Sequence, residues 1–177
     1  MPNPLDNIVV VLCRPQKLVN IAGAIRAMKN MGLSRLRLVR PAEYDPADIE
    51  GIAHRSRDVL ATTTLHASLD EALADAVFVV GTTARTREPA ARLMTPRLAA
   101  PELLARAAHG PAVLLFGAED NGLTAEELDR CHAVLRIPTE PDHSRAHGTP
   151  HRQPGQRTPG HSENRDQPVG KPADVGR

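Results

Sequence analysis

An asparagine and an arginine near the start of the chain, Asn20 and Arg26, and a carboxylate framed by glycines in Gly117-Ala118-Glu119-Asp120-Asn121-Gly122 are the residues whose types and spacing suit chemistry. A guanidinium keeps its charge at any ordinary pH and grips phosphate or developing negative charge. A carboxylate can fix an asparagine or an arginine through charge-assisted hydrogen bonds. No Ser or Cys occupies a nucleophile-elbow sequence, and no base accompanies either cysteine, which argues against covalent catalysis. A chain built this way orients two substrates and lets them react. Each residue also has a bland reading: Arg26 pairs with an acid on a helix face, Asn20 is an N-cap, Glu119 caps a turn, and the glycines end a strand.

Other chemistries lack their residues. There is no GxGxxG after the first strand and no GxxxxGK[ST], so dinucleotide and P-loop sites lose their usual support. Tyr44, Phe78 and Phe116 are the whole aromatic set, too few for a base-stacking sheet or OB-fold. Cys13 and Cys131 stand alone, without metal-ligand spacing. They are expected to be reduced and partly buried, which fits a cytoplasmic protein. The N-terminus lacks the basic start and apolar run of a signal peptide, and no run of about 18 apolar residues suggests a membrane span. Bulk charge does not announce nucleic-acid binding, since the net charge is +1. Any such surface is local, in Arg35/Arg37/Arg40, in His54/Arg55/Arg57, or in Arg85/Arg87 with Arg92 and Arg97.

The elements that would carry these groups alternate between strand and helix. Ile8–Leu12 is a β-branched run suited to burial on both faces. A helix from about Val19 to Met31 shows apolar spacing at Ile21, Ala24, Ile25 and Met28, and Gly32 stops it. Leu36–Val39, Ala76–Val80 closed by Gly81, Ala112–Phe116 and Ala133–Ile137 read as further strands. Helical pieces lie between Pro46 and Leu60, after Ser68, from Pro101 to Ala108, and after Thr124, where Ser68/Glu71 and Thr124/Glu127 form capping boxes. This pattern predicts an α/β fold, a mostly parallel sheet with helices on both faces. Ligands bind such sheets beyond the carboxyl ends of the strands. The loops after Val80, Phe116 and Ile137 would meet there.

From Asp142 to Arg177 there is no Leu, Ile, Phe or Met, so this stretch cannot bury enough apolar surface to offset its conformational entropy. Two regions are therefore expected: a folded domain over 1–141 and a disordered tail over 142–177.

Asn20, Gly23 and Arg26, followed by Ala27-Met28-Lys29-Asn30-Met31-Gly32, together with Phe116, Gly117, Glu119, Gly122 and Leu123, resemble the first two motifs of the SpoU/TrmH family of SPOUT-class RNA methyltransferases, most closely its TrmJ-like branch. Gly81-Thr82-Thr83-Ala84-Arg85 resembles the family's cofactor-edge loop. Where the family more often carries the motif glycine two residues after the asparagine, this chain has Ala22. The resemblance implies a sheet whose C-terminal part is tied in a trefoil knot. It implies homodimers, S-adenosylmethionine as cofactor, and methyl transfer to a ribose 2′-hydroxyl of tRNA or rRNA, with neither metal nor membrane involved. It assigns Arg26 to the ribose or its phosphate, Asn20 to orienting Arg26 or substrate, and Glu119 to fixing one of them. It assigns Gly117 and Ile137 to the cofactor through their backbone, with Thr82, Thr83 and Ala84 lining it, and Ser144 where a third motif begins.

That third motif does not continue. After Ser144 come Arg145-Ala146-His147-Gly148, where the family has a Ser-Leu-Asn-Leu-like turn and an apolar helix. The abrupt change resembles a shift of reading frame. It implies an incomplete knot, a truncated methyltransferase domain, and apolar surface exposed around Val113–Phe116 and Val134–Ile137. Two functions stay open: an RNA 2′-O-methyltransferase impaired by the loss, and a non-catalytic RNA-binding or dimerising module of the same descent.

Overall fold

The computed structural model describes residues 3–83 and 91–137. After a single 3-10 turn, the chain forms β1 (Ile8–Cys13), α1 (Leu18–Asn30), β2 (Arg35–Val39), α2 (Pro46–Ile52), α3 (Arg57–Thr62), β3 (Thr64–His66), α4 (Leu69–Leu73), β4 (Phe78–Thr83), β5 (Arg92–Met94), α5 (Pro96–Ala107), β6 (Ala112–Phe116), α6 (Ala125–Leu128) and β7 (Ala133–Arg136). The strands join in one sheet in the order β3-β2-β1-β6-β4-β7-β5. Every pairing between them is parallel. A strand inside such a sheet is covered on both faces, and this explains the unbroken apolar runs of β1 and β6.

Period-two alternation divides each strand between two cores. Ile8 and Val10 of β1 join Leu36, Leu38, Phe78, Val80 and Ala112 in one cluster with Ile21, Ile25 and Met28 of α1, Ile49 of α2, Val59 of α3 and Leu103 of α5. Val9, Val11 and Cys13 join Val79, Val113, Leu115 and Val134 in the other, under Leu69 and Ala72 of α4 and Leu123. The expected helices on both faces are present. The expected exposure of the β6 and β7 apolar residues is not: Val113, Leu115, Val134 and Leu135 are buried. On the second face Val113, Leu115 and Val134 pack in one cluster with Leu69, Ala72, Leu123 and Cys131. Only Leu114 and Phe116, half-buried on the α1 face, and the exposed Ile137 remain partly open.

Three boundaries differ from the sequence reading. β4 begins at Phe78 and runs through Gly81 to Thr83. Gly81 continues the strand because a Cβ there would lie 2.6 Å from the Cys131 Sγ, so a close approach and not a turn demands the glycine. α5 begins at Pro96, and Pro101 lies inside it. Pro101 and Arg97, whose carbonyl would otherwise accept from residue 101, are both exposed, so water can serve that carbonyl. The edge strand β5 has no strong apolar signature, and only its pairing with β7 reveals it. Of the capping boxes, the one at Thr124 is complete. At Ser68 the hydroxyl accepts from the Glu71 N–H, while the Glu71 carboxylate reaches the N–H of Ala67.

Connections set where a site can lie. The chain leaves β1 through α1 toward β2, and leaves β6 through α6 toward β7, on the opposite side. Adjacent parallel strands whose connections depart in opposite directions open a crevice at their carboxyl ends. β1 and β6 are that pair.

Candidate functional site

The crevice is closed by hydrogen bonds between its two banks. The Glu119 carboxylate, in the loop after β6, accepts from the Asn20 Nδ2 at 2.7 Å and from the Gln16 N–H at 3.1 and 3.0 Å. Asn20 lies in the first turn of α1 but is not its cap. Lys17 holds that position, with no side-chain cap bond, so the Asn20 amide is available to cross the crevice. Burial pushes the Glu119 carboxyl up. The bonds from Asn20, from its own backbone and from the N–H groups of Gln16 and Lys17 outweigh this and hold it below the usual carboxylate range.

The glycines around Glu119 have separate duties. The Gly122 N–H donates to the Ala118 carbonyl at 2.7 Å, which folds residues 118–122 into a tight turn. Gly122 itself has φ +66°, a backbone that side chains disfavour. A Cβ on Gly117 would lie 2.0 Å from the Gly122 carbonyl carbon, so the turn folds back onto Gly117 and leaves no room for a side chain. The Gly-x-Glu-x-x-Gly spacing is thus a turn that presents Glu119 across the crevice. Thr124 and Glu127 then cap α6, and the buried Glu127 carboxylate accepts from the Arg14 Nη2 at 2.9 Å. This second tie between the loops after β1 and β6 was not anticipated. Its only signal in the sequence is an arginine directly after a buried strand.

Sheet register places the remaining candidates. Gly81 pairs with Leu115, and Thr83 pairs with Arg136. Extending both registers puts Thr83, Gly117 and Arg136 in one row across the carboxyl ends of three neighbouring strands, with Ile137 next along the chain. The Thr82 hydroxyl is turned sideways and donates to the Leu115 carbonyl at 3.1 Å. Ala84 and Ser144 lie outside the described residues.

Arg26 is not drawn into the Asn20–Glu119 contact. It is exposed, six residues along α1 from Asn20, or roughly 9 Å along the helix axis at the usual rise. Alongside the crevice a cavity of about 260 Å³ opens between α1 and the sheet. Val10, Leu12, Leu114, Phe116 and Met28 line it, and Asn20, Gly117 and Glu119 border it. Arg26 is not among its lining residues.

Three members of the basic clusters, Arg37, Arg57 and Arg92, are taken up in internal pairs. Arg37 is buried, bonded to the Ala72 carbonyl and in a two-pronged ion pair with Asp75. Arg57 pairs with Glu50 and Arg92 with Glu102. Arg85 and Arg87 lie outside the described residues. No group of three or more metal-ligating side chains occurs among the described residues. None of their helices is long and apolar enough to cross a membrane.

The sheet is a parallel α/β sheet with a crevice bridged by Asn20 and Glu119, and the chain belongs to the SpoU rRNA Methylase family, whose model matches residues 7–144. Among individual relatives, it is 40% identical over 140 residues to the tRNA (cytidine/uridine-2′-O-)-methyltransferase TrmJ of Pectobacterium atrosepticum, covering 79% of this chain and 58% of that protein. It is 42% identical over 139 residues to the tRNA (cytidine/uridine/adenosine-2′-O-)-methyltransferase TrmJ of Pseudomonas aeruginosa, covering 78% and 54%. The chain therefore spans little more than half the length of these relatives. Among solved structures, a probable methylase family protein from Haemophilus influenzae superposes with a TM-score of 0.72 at 38% identity, over 78% of this chain and 58% of that one. TrmJ from Z. mobilis superposes with a TM-score of 0.69 at 32% identity, over 76% and 59%.

Proposed function

We propose that this chain transfers a methyl group from S-adenosylmethionine to a ribose 2′-hydroxyl of tRNA. The observation that carries this reading is the Asn20–Glu119 hydrogen bond, which joins two distant sequence segments beside Gly117 at the point of the sheet where ligands bind. The names of the relatives supply the substrate class.

The row at the carboxyl ends of β4, β6 and β7 suits the cofactor. Gly117 brings bare backbone to the edge, Thr83 is half-buried, and Ile137 offers an exposed apolar side chain at the end of a buried strand. Thr82, Thr83, Gly117 and Ile137 would hold it, with Ala84 and Ser144 completing the set. When bound, S-adenosylmethionine supplies an electrophilic methyl group on sulfur. The chain's own residues then position the acceptor. Glu119, held as a carboxylate, fixes the Asn20 amide toward the crevice. Arg26, exposed on the same helix, grips the phosphate next to the ribose and stabilises the hydroxyl oxygen as its proton passes to solvent water. A guanidinium cannot accept that proton at ordinary pH, so its part is electrostatic. We take the acting species to be a homodimer. The exposed Val19 on α1 and Met31 at its C-terminal cap are apolar surface suited to a second copy, and sedimentation tests it.

The decisive experiment incubates the full chain with S-adenosylmethionine and unmodified tRNA and looks for 2′-O-methylated nucleosides by mass spectrometry. Wild type should produce them, and Asn20→Ala should lower the rate about 10- to 100-fold through misplacement alone. The composition break after Pro141 leads us to expect slower turnover than in the full-length relatives. Salt-dependent tRNA binding with no calorimetric heat from the cofactor and no methyl transfer would favour the RNA-binding module instead. The absence of both cofactor binding and methylated nucleosides would refute the proposal.

A further inference from the structure

Three non-glycine residues among those described have positive φ, and all three are arginines: Arg14 at +53°, Arg40 at +46° and Arg55 at +65°. Asn, Asp and His are the residues ordinarily enriched there, so arginine calls for a reason. Two of the three are related by the sheet. Cys13 pairs with Val39, so the next residues, Arg14 and Arg40, stand side by side one step beyond the carboxyl ends of β1 and β2. A proline follows each, which restricts the arginine backbone further. Both backbone N–H groups stay in the ladder, Arg14 to the Val39 carbonyl at 2.7 Å and Arg40 to the His66 carbonyl at 3.1 Å. The strain therefore lies in how the chain turns immediately afterwards.

Glu127 offsets the charge of Arg14, and the charge of Arg40 has no such partner among the described residues. The Arg14 Nη2 meets Glu127 and, at 3.5 Å, the Gly122 carbonyl, while its side chain stays 31% exposed. Arg40 is exposed and has no ion pair or side-chain hydrogen bond among the described residues. Glu119 is committed to Asn20 and Gln16, and Asp45 caps α2 through its own carboxylate. Glu43, exposed three residues after Arg40, is the other acid in that loop. Both guanidinium charges, together with that of Glu127, are felt at the Cys13 thiol, so they gather at one spot on the sheet edge.

We propose that Arg14 and Arg40 form a phosphodiester clamp that holds the RNA backbone beside, and not at, the reacting ribose. This deepens the function proposed above and rests on it. Strand spacing puts the two backbones about 5 Å apart. Arg14 keeps a partly exposed guanidinium held by Glu127, and Arg40 supplies the uncompensated charge that a phosphate would meet. The crevice holding Asn20 and Glu119 is on the far side of β1, so the clamp extends the RNA path toward β2 and β3.

The test measures binding of full-length tRNA to the full chain across a series of KCl concentrations. For Arg40→Gln, the slope of log affinity against log salt should fall by about 0.7–0.9, the loss of one phosphate contact. Binding at 100 mM KCl should weaken on the order of threefold or more. Arg40→Lys should keep the slope, and Arg57→Gln, at an exposed arginine paired with Glu50, should leave it unchanged. Arg40→Gly relieves the backbone strain and should melt no lower than wild type while binding as weakly as Arg40→Gln. An unchanged slope in Arg40→Gln with wild-type tRNA affinity overturns the clamp and leaves the methyltransferase reading standing. Competition by millimolar inorganic phosphate at fixed ionic strength would reassign the pair to small anions and also overturn it. Failure of wild type to bind tRNA at any salt concentration would sink both readings.

Discussion

Glu119 shows how an exposed carboxylate acquires a defined state. Its surroundings penalise the charge, yet the Asn20 amide and nearby backbone N–H groups favour it more strongly, so its folded pKa lies below the unfolded value of about 4.3. A carboxyl with a depressed folded pKa adds stability above its unfolded pKa, and that stability is lost as pH falls through the folded pKa. Wild type should therefore melt above Glu119→Gln by a constant margin at pH values over about 5, and the margin should close below about pH 4. A margin independent of pH would mean that Glu119 contributes shape and not charge. Cys13 behaves oppositely: burial pushes its thiol up to about 12, so it should resist thiol reagents at pH 8 until the protein unfolds.

The turn from Gly117 to Gly122 and the start of α6 act as one element. Gly117→Ala places a Cβ against the Gly122 backbone, which has nowhere to move without opening the turn, and should cost about 3 kcal/mol, at the upper end for single substitutions. At Gly122 there is open space for a Cβ, so Gly122→Ala meets only the left-handed backbone penalty of roughly 1–2 kcal/mol. Denaturant titration should rank them in that order, and equal losses would contradict the assigned duties. Thr124→Ala removes the N-cap of α6 and should cost about 1 kcal/mol. The sequence reading found this element because its residues are neighbours in the chain. It ended β4 at Gly81 because a glycine reads locally as a stop, whereas the demand for it comes from Cys131, fifty residues away.

Across the whole molecule, the carboxyls of Asp58, Asp70, Asp75, Glu119 and Asp120 all lie below their ordinary values, the first three chiefly through hydrogen bonds from Lys29, Arg130 and Arg37. All shift in the same direction, so stability should hold from pH 7 to about 5 and decline as pH drops below about 4. Melting curves across that range test it, and a maximum near pH 4 would contradict it. Among the described residues, both apolar clusters draw on Ile8 to Leu135, with Leu5 packed against the first. Residues 142–177 hold no Leu, Ile, Phe or Met, so a chain ending at Pro141 should melt within about 2 °C of the full chain. A larger fall would show that residues 142–177 support the fold.

Local chemistry alone determined much of this protein. Unbroken apolar runs marked the central strands, helical spacing marked α1, and Gly117, Glu119 and Gly122 marked a turn beside a strand end. These signals reside in neighbouring residues, where backbone preference and side-chain period act directly. Tertiary structure decided which groups meet. It gave Glu119 to Asn20 and left Arg26 outside that contact. It buried Arg37 against Asp75, and it set Arg14 beside Arg40. Such meetings depend on strand order and register, which emerge when the whole chain buries its apolar faces, and no short stretch of sequence carries that information.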